Sequence, residues 1–173
     1  MAVYALGELT PHIPDSAFIH PDAVVIGAVT LGEQASVWPT AVLRADFGRI
    51  VVGDRTSVQD GTVVHCIEEQ ATSIGADCVV GHNVHLEGCT VGDRCLVGSG
   101  SVVLNHASVG DGSVIGAGAV VTQHTVVPAG SMAVGVPART RPVPAEATEW
   151  VRFGVGEYLT NSARYRDQLR RLD

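Results

Sequence analysis

The chain has 173 residues, a formal charge of −7 at pH 7 and eleven basic residues, all of them arginine. This acidic balance argues against a nucleic-acid binder, which needs a basic face to neutralise phosphates. The absence of lysine excludes Schiff-base catalysis and a P-loop. No apolar run is long enough to span a membrane, and the N-terminus lacks the basic start of a signal peptide. We therefore expect a cytoplasmic protein without nucleic-acid or membrane partners.

A six-residue repeat runs through most of the chain. From Leu31 onward, apart from two insertions and one shortened repeat, an aliphatic residue recurs at every sixth position, often followed by glycine, and the fifth position is nearly always small. An α-helix cannot keep a six-residue period on one face, whereas short strands joined by tight corners can. Hexapeptide repeats are typical of a parallel β-helix. The sequence thus predicts an all-β fold, a left-handed parallel β-helix shaped as a triangular prism, in which residues about 18 apart stack.

The repeat ends where prolines accumulate, at Pro137, Pro142 and Pro144. Beyond them, apolar residues from Val151 to Leu172 follow at spacings of three and four, which predicts an amphipathic helix. Residues 1–140 are therefore predicted to form the β-helix domain, and residues 141–173 a helical segment that packs on the prism. Two glycines, at 154 and 156, are expected to divide this segment into a short helix and a longer one.

The segment VVGHNVHLEGC, residues 79–89, carries two histidines and a carboxylate. Glu87 lies 22 residues after His65, which is one coil of about 18 residues plus a short insertion. Their side chains should therefore stack outward on neighbouring coils. His82 falls one face earlier, near a corner of the prism. The position of His85 within its six-residue repeat is expected to point its side chain away from the stacked pair His65 and Glu87.

One prism would therefore offer two metal ligands together and a third on another face. In a cyclic trimer, His82 of one chain could approach His65 and Glu87 of the next, because a contact repeated by three-fold rotation closes. Two histidines, one glutamate and a water are an accepted ligand set for catalytic zinc. The prediction is an intersubunit metal site of His65, His82 and Glu87, with His85 as the alternative to Glu87.

The motifs together resemble those of the γ-class carbonic anhydrases and their hexapeptide-repeat relatives. The segments that carry the resemblance are SVWPTAVLRAD (36–46), SVQDGTVVH (57–65), VGHNVHLEGC (80–89), LVGSGSVVL (96–104) and GVPAR (135–139). The resemblance implies a homotrimer with zinc, or iron in some members, held between subunits by three histidines. It also implies reversible hydration of carbon dioxide to bicarbonate by a metal-bound hydroxide. His65 and His82 match two of the histidines, and Glu87 stands in place of the third.

The resemblance implies roles for five further residues. Gln59 matches the glutamine that orients the metal-bound hydroxide, and Asp60 stands beside it. Arg44 and Asp46 match an ion pair at the subunit interface. Glu68, in the inserted loop, occupies a place similar to that of the proton-shuttle carboxylate.

Other functions remain open on the sequence alone. A hexapeptide acyltransferase would use a histidine as base on an acceptor while acyl-CoA lies between prisms, and GVPAR is common to both groups. An acyl-CoA thioesterase or another metal-dependent hydrolase would use the same metal site. A trimeric scaffold with a vestigial site is favoured by Glu87 at a ligand position.

Overall fold

The fold is a parallel β-solenoid of about seven turns followed by an α-helix, as a computed structural model describes it for residues 2–173. This architecture confirms the predicted β-helix with a C-terminal helix. Each coil contributes short strands, and coils stack through parallel backbone hydrogen bonds.

Most strands are only two or three residues long, because the chain turns a corner after each. In chain order the elements are β1 (Ala2–Tyr4), β2 (Phe18–Ile19), β3 (Val24–Leu31), β4 (Ser36–Val37), β5 (Val42–Val52), β6 (Ser57–Val58), β7 (Val63–His65), β8 (Thr72–Ile74), β9 (Val79–Val80), β10 (His85–Glu87), β11 (Thr90–Val91), β12 (Leu96–Val97), β13 (Val102–Val103), β14 (Ser108–Val109), β15 (Val114–Ile115), β16 (Val120–Val121), β17 (Val126–Val127), β18 (Ser131–Val134), β19 (Arg139–Pro142) and α1 (Ala147–Gln168).

The strands form three faces. The first face contains the start of β5 and continues through β7, β10, β13 and β16. The second contains the end of β5 and continues through β8, β11, β14 and β17, so that the long strand β5 turns the corner between two faces. The third face is a separate sheet that runs from β2 through β4, β6, β9, β12 and β15 to β18, with β19 antiparallel at its end.

The core consists of aliphatic side chains stacked from coil to coil. Leu43, Val64 and Leu86 are register neighbours on the first face, and all three are fully buried. Cys78 and Cys95 are also buried, which confirms that they pack inward. Burial raises the pKa of the Cys89 thiol to about 12, so this cysteine is not a reactive thiolate at neutral pH.

The corners of the prism place residues in left-handed backbone conformation directly above one another. Arg55, Asp77 and Arg94, with φ of 56°, 55° and 54°, occupy one such column in successive coils. The Arg55 guanidinium donates to both carboxylate oxygens of Asp77, at 2.6 and 2.7 Å. This column therefore alternates in charge along the solenoid.

Helix α1 packs on the third face, where Val151 and Val155 contact Val79. The expected break at the two glycines is wrong, because α1 is continuous from Ala147 to Gln168. Gly154 instead allows close packing, since a Cβ there would lie 3.0 Å from Val79 Cγ2. Among residues 2–173 no helix is long and apolar enough to cross a membrane.

The first prediction concerns close backbone packing between coils. Gly27 has φ of +80°, and a Cβ there would overlap the carbonyl oxygen of Ala45. Gly7 has φ of +59°, but a Cβ there would meet nothing within 4 Å. Gly27→Ala should therefore cost roughly 2–5 kcal/mol of unfolding free energy and Gly7→Ala only about 1–2 kcal/mol, as measured by urea unfolding. Equal losses would contradict the close approach of these coils.

The second prediction concerns acid stability. The hydrogen bond from Arg55 holds the pKa of Asp77 below its ordinary value of 3.8. A carboxylate whose pKa is lowered by folding stabilises the fold above its unfolded pKa, and this stabilisation disappears as pH falls through the folded value. Urea unfolding should therefore find Arg55→Gln less stable than wild type near neutral pH, with the difference shrinking below pH 3.8. A difference that does not change with pH would contradict this account of the ion pair.

Candidate functional site

The centre of the site is His65, at the end of β7 on the first face. Arg44 of β5 and Glu87 of β10 are its register neighbours on either side, which confirms the predicted stacking of His65 with Glu87. His65 Nδ1 lies 3.0 Å from Glu87 Oε1, and His65 Nε2 lies 2.9 Å from Asp46 Oδ1. Both ring nitrogens are therefore within hydrogen-bond distance of a carboxylate.

The two carboxylates around His65 are held as anions. The hydrogen bond from His65 lowers the pKa of Glu87, and His85 contributes in the same direction. Burial raises the pKa of Asp46, but hydrogen bonds from His65 and Arg44 outweigh it, so the pKa lies below its usual value. Arg44 donates from a guanidinium nitrogen to Asp46. The group is thus a network of ionised carboxylates around one imidazole and one guanidinium.

A second role of Asp46 was missed by the sequence analysis. The sequence assigned it to an ion pair with Arg44, whereas the structure has it contacting His65 as well. The sequence could have shown this contact, because Arg44 and His65 are separated by about one coil, as are His65 and Glu87, and therefore stack in the same way. Asp46 lies two residues beyond Arg44 in β5, and alternate residues of a strand share a face.

The expectation that His85 points away from Glu87 is wrong. His85 and Glu87 are alternate residues of β10, with the buried Leu86 between them. Alternate side chains of a strand share a face, and His85 Nε2 lies 3.4 Å from Glu87 Oε2. Glu87 is therefore placed between two imidazoles.

His82 lies away from this group, at the corner that follows β9 of the third face. Its Nδ1 is 3.0 Å from Asp60 Oδ2, and its side chain is 47 % exposed. Its Nε2 has no hydrogen-bond partner among the described residues. Gln59, next to Asp60, is buried on the third face with 4 % exposure. Asp60 thus holds one nitrogen of His82 and leaves the other available.

Glu68 is not part of either group. It lies exposed on a tight turn between the bridge-paired residues Ile67 and Gln70. No hydrogen bond joins its side chain to a site residue anywhere in residues 2–173. The structure therefore leaves its proposed shuttle role dependent on motion of this turn or on solvent.

The candidate donor atoms fit a metal ion only in part. In the part of the chain that the structure describes, no three His, Cys, Asp or Glu side chains are placed to hold one. Two donors of a tetrahedral zinc, each about 2.0–2.1 Å from the metal, lie about 3.3 Å apart, and His65 Nδ1 and Glu87 Oε1 are 3.0 Å apart. This spacing is close to that of two zinc donors, and His82 is a further imidazole with a carboxylate at one ring nitrogen. The described residues of one chain therefore contribute two adjacent candidate donors and no complete ligand set.

The bacterial transferase hexapeptide (six repeats) family matches residues 71–105 and 88–123. The chain is 38% identical over 169 residues to the protein YrdA of Escherichia coli strain K12, covering 93% of this chain and 92% of YrdA. It is also similar to the crystal structure of a hexapeptide transferase family protein from Anaplasma phagocytophilum, with a TM-score of 0.91, 34% identity and coverage of 95% and 98%. A Bacillus cereus protein described as a candidate acetyltransferase gives a TM-score of 0.94, 32% identity and coverage of 97% and 98%. The chain therefore belongs to the hexapeptide-repeat transferase family.

Proposed function

We propose that this chain is a γ-class carbonic anhydrase-like metalloprotein that hydrates carbon dioxide reversibly to bicarbonate. The site would lie between subunits of a homotrimer, with His65 and Glu87 from one chain and His82 from the next. One observation carries this proposal. Both histidines have a ring nitrogen held by a carboxylate, Asp46 for His65 and Asp60 for His82. Histidines that ligate metals usually have such a partner at the other nitrogen.

Several residues of the chain would have separate roles at this site. Asp46 would accept the proton of His65 Nε2 and leave Nδ1 directed at the metal, beside the anionic oxygen of Glu87. Zinc, with iron as the alternative, supplies when bound the Lewis acidity that makes water a nucleophile at neutral pH. Gln59 would orient the attacking water, and Glu68 would pass protons to solvent. Arg44 would keep Asp46 ionised.

The surroundings of His65 suit a face covered by another subunit. Phe47 is 62 % exposed, and its ring centroid lies 6.0 Å from that of His65. Val63, two residues before His65 on the same strand, is also exposed. Exposed apolar side chains clustered around a polar group are typical of protein interfaces. A neighbouring chain that covers this patch would bring its own His82 to the site.

A cytoplasmic location remains part of this proposal. All four cysteines are buried and free. Unpaired thiols are typical of proteins in reducing compartments.

Acyl transfer from acyl-CoA is the second candidate, and the pair His82–Asp60 favours it. Asp60 accepts from Nδ1 of His82 and so leaves a lone pair on the exposed Nε2. An imidazole in that tautomer is suited to act as a general base on an acceptor hydroxyl or amine. The family name and the description of the Bacillus cereus relative support this chemistry more directly than carbon dioxide hydration. It needs no metal, which separates it from carbon dioxide hydration and from metal-dependent thioester hydrolysis.

The third prediction is complementation between subunits. Wild-type protein should purify as a trimer with about one metal ion per subunit, because three-fold symmetry repeats each site three times. His65→Ala and His82→Ala should each lose metal and carbon dioxide hydration. Trimers mixed from both variants should recover part of each, since some interfaces then carry only wild-type ligands. Metal analysis and stopped-flow hydration measure the recovery, and mass spectrometry confirms the mixing.

Each alternative gives a different result in this experiment. Acyl transfer predicts that His82→Ala abolishes acetyl-CoA turnover, whereas His65→Ala and metal removal do not. Metal-dependent thioester hydrolysis predicts recovery of acyl-CoA cleavage without carbon dioxide hydration. A scaffold predicts a trimer without metal or turnover. A monomeric wild-type protein would overturn the shared site.

The fourth prediction asks which residue of β10 completes the site. Glu87 Oε1 is adjacent to His65 Nδ1, whereas His85 contacts only the second oxygen of Glu87. Glu87→Ala should therefore lower metal content by about tenfold or more, while His85→Ala should retain most of it. Removing a partner of a ligand usually costs about 10- to 100-fold in metal affinity, and removing a ligand should cost at least as much. Metal analysis after dialysis against a weak chelator distinguishes the two variants, and the reverse order would assign His85 as the ligand.

A further inference from the structure

Helix α1 lies over the same face that carries Asp60. Trp38, which follows β4, is buried there, and the ring of Tyr158 packs on it edge to face at 5.2 Å and 70°. Tyr165, two helical turns later, packs on the same indole at 5.2 Å and 76°. Strands β4 and β6 are paired through Val37 and Val58, so Trp38 and Gln59 follow the same register pair. The helix therefore brings one tyrosine close to the segment that contains Asp60.

The hydroxyl of Tyr158 lies within the electrostatic influence of Asp60. Burial raises the pKa of Tyr158, and the negative charge of Asp60 raises it further. The phenol is therefore protonated at neutral pH and is a hydrogen-bond donor. Neither this hydroxyl nor Asp60 Oδ1 has a hydrogen-bond partner within residues 2–173, and His82 contacts the other carboxylate oxygen, Oδ2. A donor on α1 and an acceptor that follows β6 thus lie on segments that pack together, and no direct hydrogen bond joins them.

We propose that Tyr158 is a positioning residue of this site. Its hydroxyl donates through one water to the free oxygen of Asp60 and so holds Asp60 in the orientation that binds His82 Nδ1. The inference rests on the proposed function in one respect, that His82 acts through its exposed Nε2. It applies equally to a metal ligand and to a general base, since both need the Nδ1–H tautomer.

The chain offers a matched pair of variants for the test. Tyr158→Phe removes the hydroxyl and keeps the ring on Trp38. Tyr165→Phe removes a hydroxyl from the same helix and the same indole, and its side chain also packs on Phe18. Both variants should therefore unfold at nearly the same temperature as wild type. Only Tyr158→Phe should affect His82.

The principal readout is the tautomer of His82 in protein labelled with ¹⁵N-histidine, assigned with His82→Gln. Wild type and Tyr165→Phe should show Nδ1 protonated, whereas Tyr158→Phe should show a mixture of the two tautomers. Asp60→Asn should show the mixture as well. In a Tyr4→Phe, Tyr165→Phe background, the phenolate absorbance of Tyr158 should appear at lower pH when Asp60 is replaced by Asn.

Turnover separates this inference from the proposed function. Tyr158→Phe should lower kcat for carbon dioxide hydration by about tenfold, or ~1.4 kcal/mol, with KM unchanged, and Tyr165→Phe should not. If wild type hydrates no carbon dioxide but the tautomer difference is present, the proposed function fails and the positioning role stands. If Tyr158→Phe matches Tyr165→Phe in tautomer and in kcat, the positioning role is overturned, whatever the activity of wild type.

Discussion

The fixed register between successive coils is the constraint on which the rest of this structure depends. Each short strand hydrogen-bonds in parallel to the strands of the coils before and after it, so a side chain on one coil has defined neighbours above and below. A shift of one residue would exchange the inner and outer side chains of a whole strand. The register that buries Leu43, Val64 and Leu86 therefore also fixes the outer row of Arg44, His65 and Glu87.

This same constraint explains the pairing of opposite charges at two places on the outer surface. Stacked side chains lie close to one another in successive coils, so like charges directly above one another would be destabilising. Arg55 above Asp77 satisfies this requirement, and so does the network of Arg44, Asp46, His65 and Glu87. The two groups differ in the chemistry of their cations. An arginine pairs with a carboxylate and remains fully charged, whereas an imidazole between two carboxylates can exchange a partner for a ligand.

The features that could be predicted from the sequence are those that depend on periodicity. The six-residue repeat predicted the solenoid, the inward thiols of Cys78 and Cys95, and the stacking of Glu87 on His65. Periodicity failed where the local geometry of a strand or helix decides the outcome. His85 shares a face with Glu87 because side chains of β10 point alternately inward and outward. Helix α1 continues through Gly154, which packs closely against Val79. Tyr158 could not be placed near Asp60 from the sequence, since nearly one hundred residues separate them and only the packing of α1 brings them together.

The prism divides the candidate donors between two faces, and this division bears on how the site can assemble. His65 and Glu87 lie on a flat outer surface, where two adjacent coils place candidate metal ligands side by side. His82 stands at a corner, where its side chain contacts Asp60 of the preceding coil and neither His65 nor Glu87. A single solenoid cannot bend to bring these groups together, because its backbone hydrogen bonds fix every coil. Under the proposed trimer, rigidity becomes useful, because a rigid corner of one chain can meet a rigid face of the next. Helix α1 adds to this rigidity by packing on Trp38 of the same face through Tyr158.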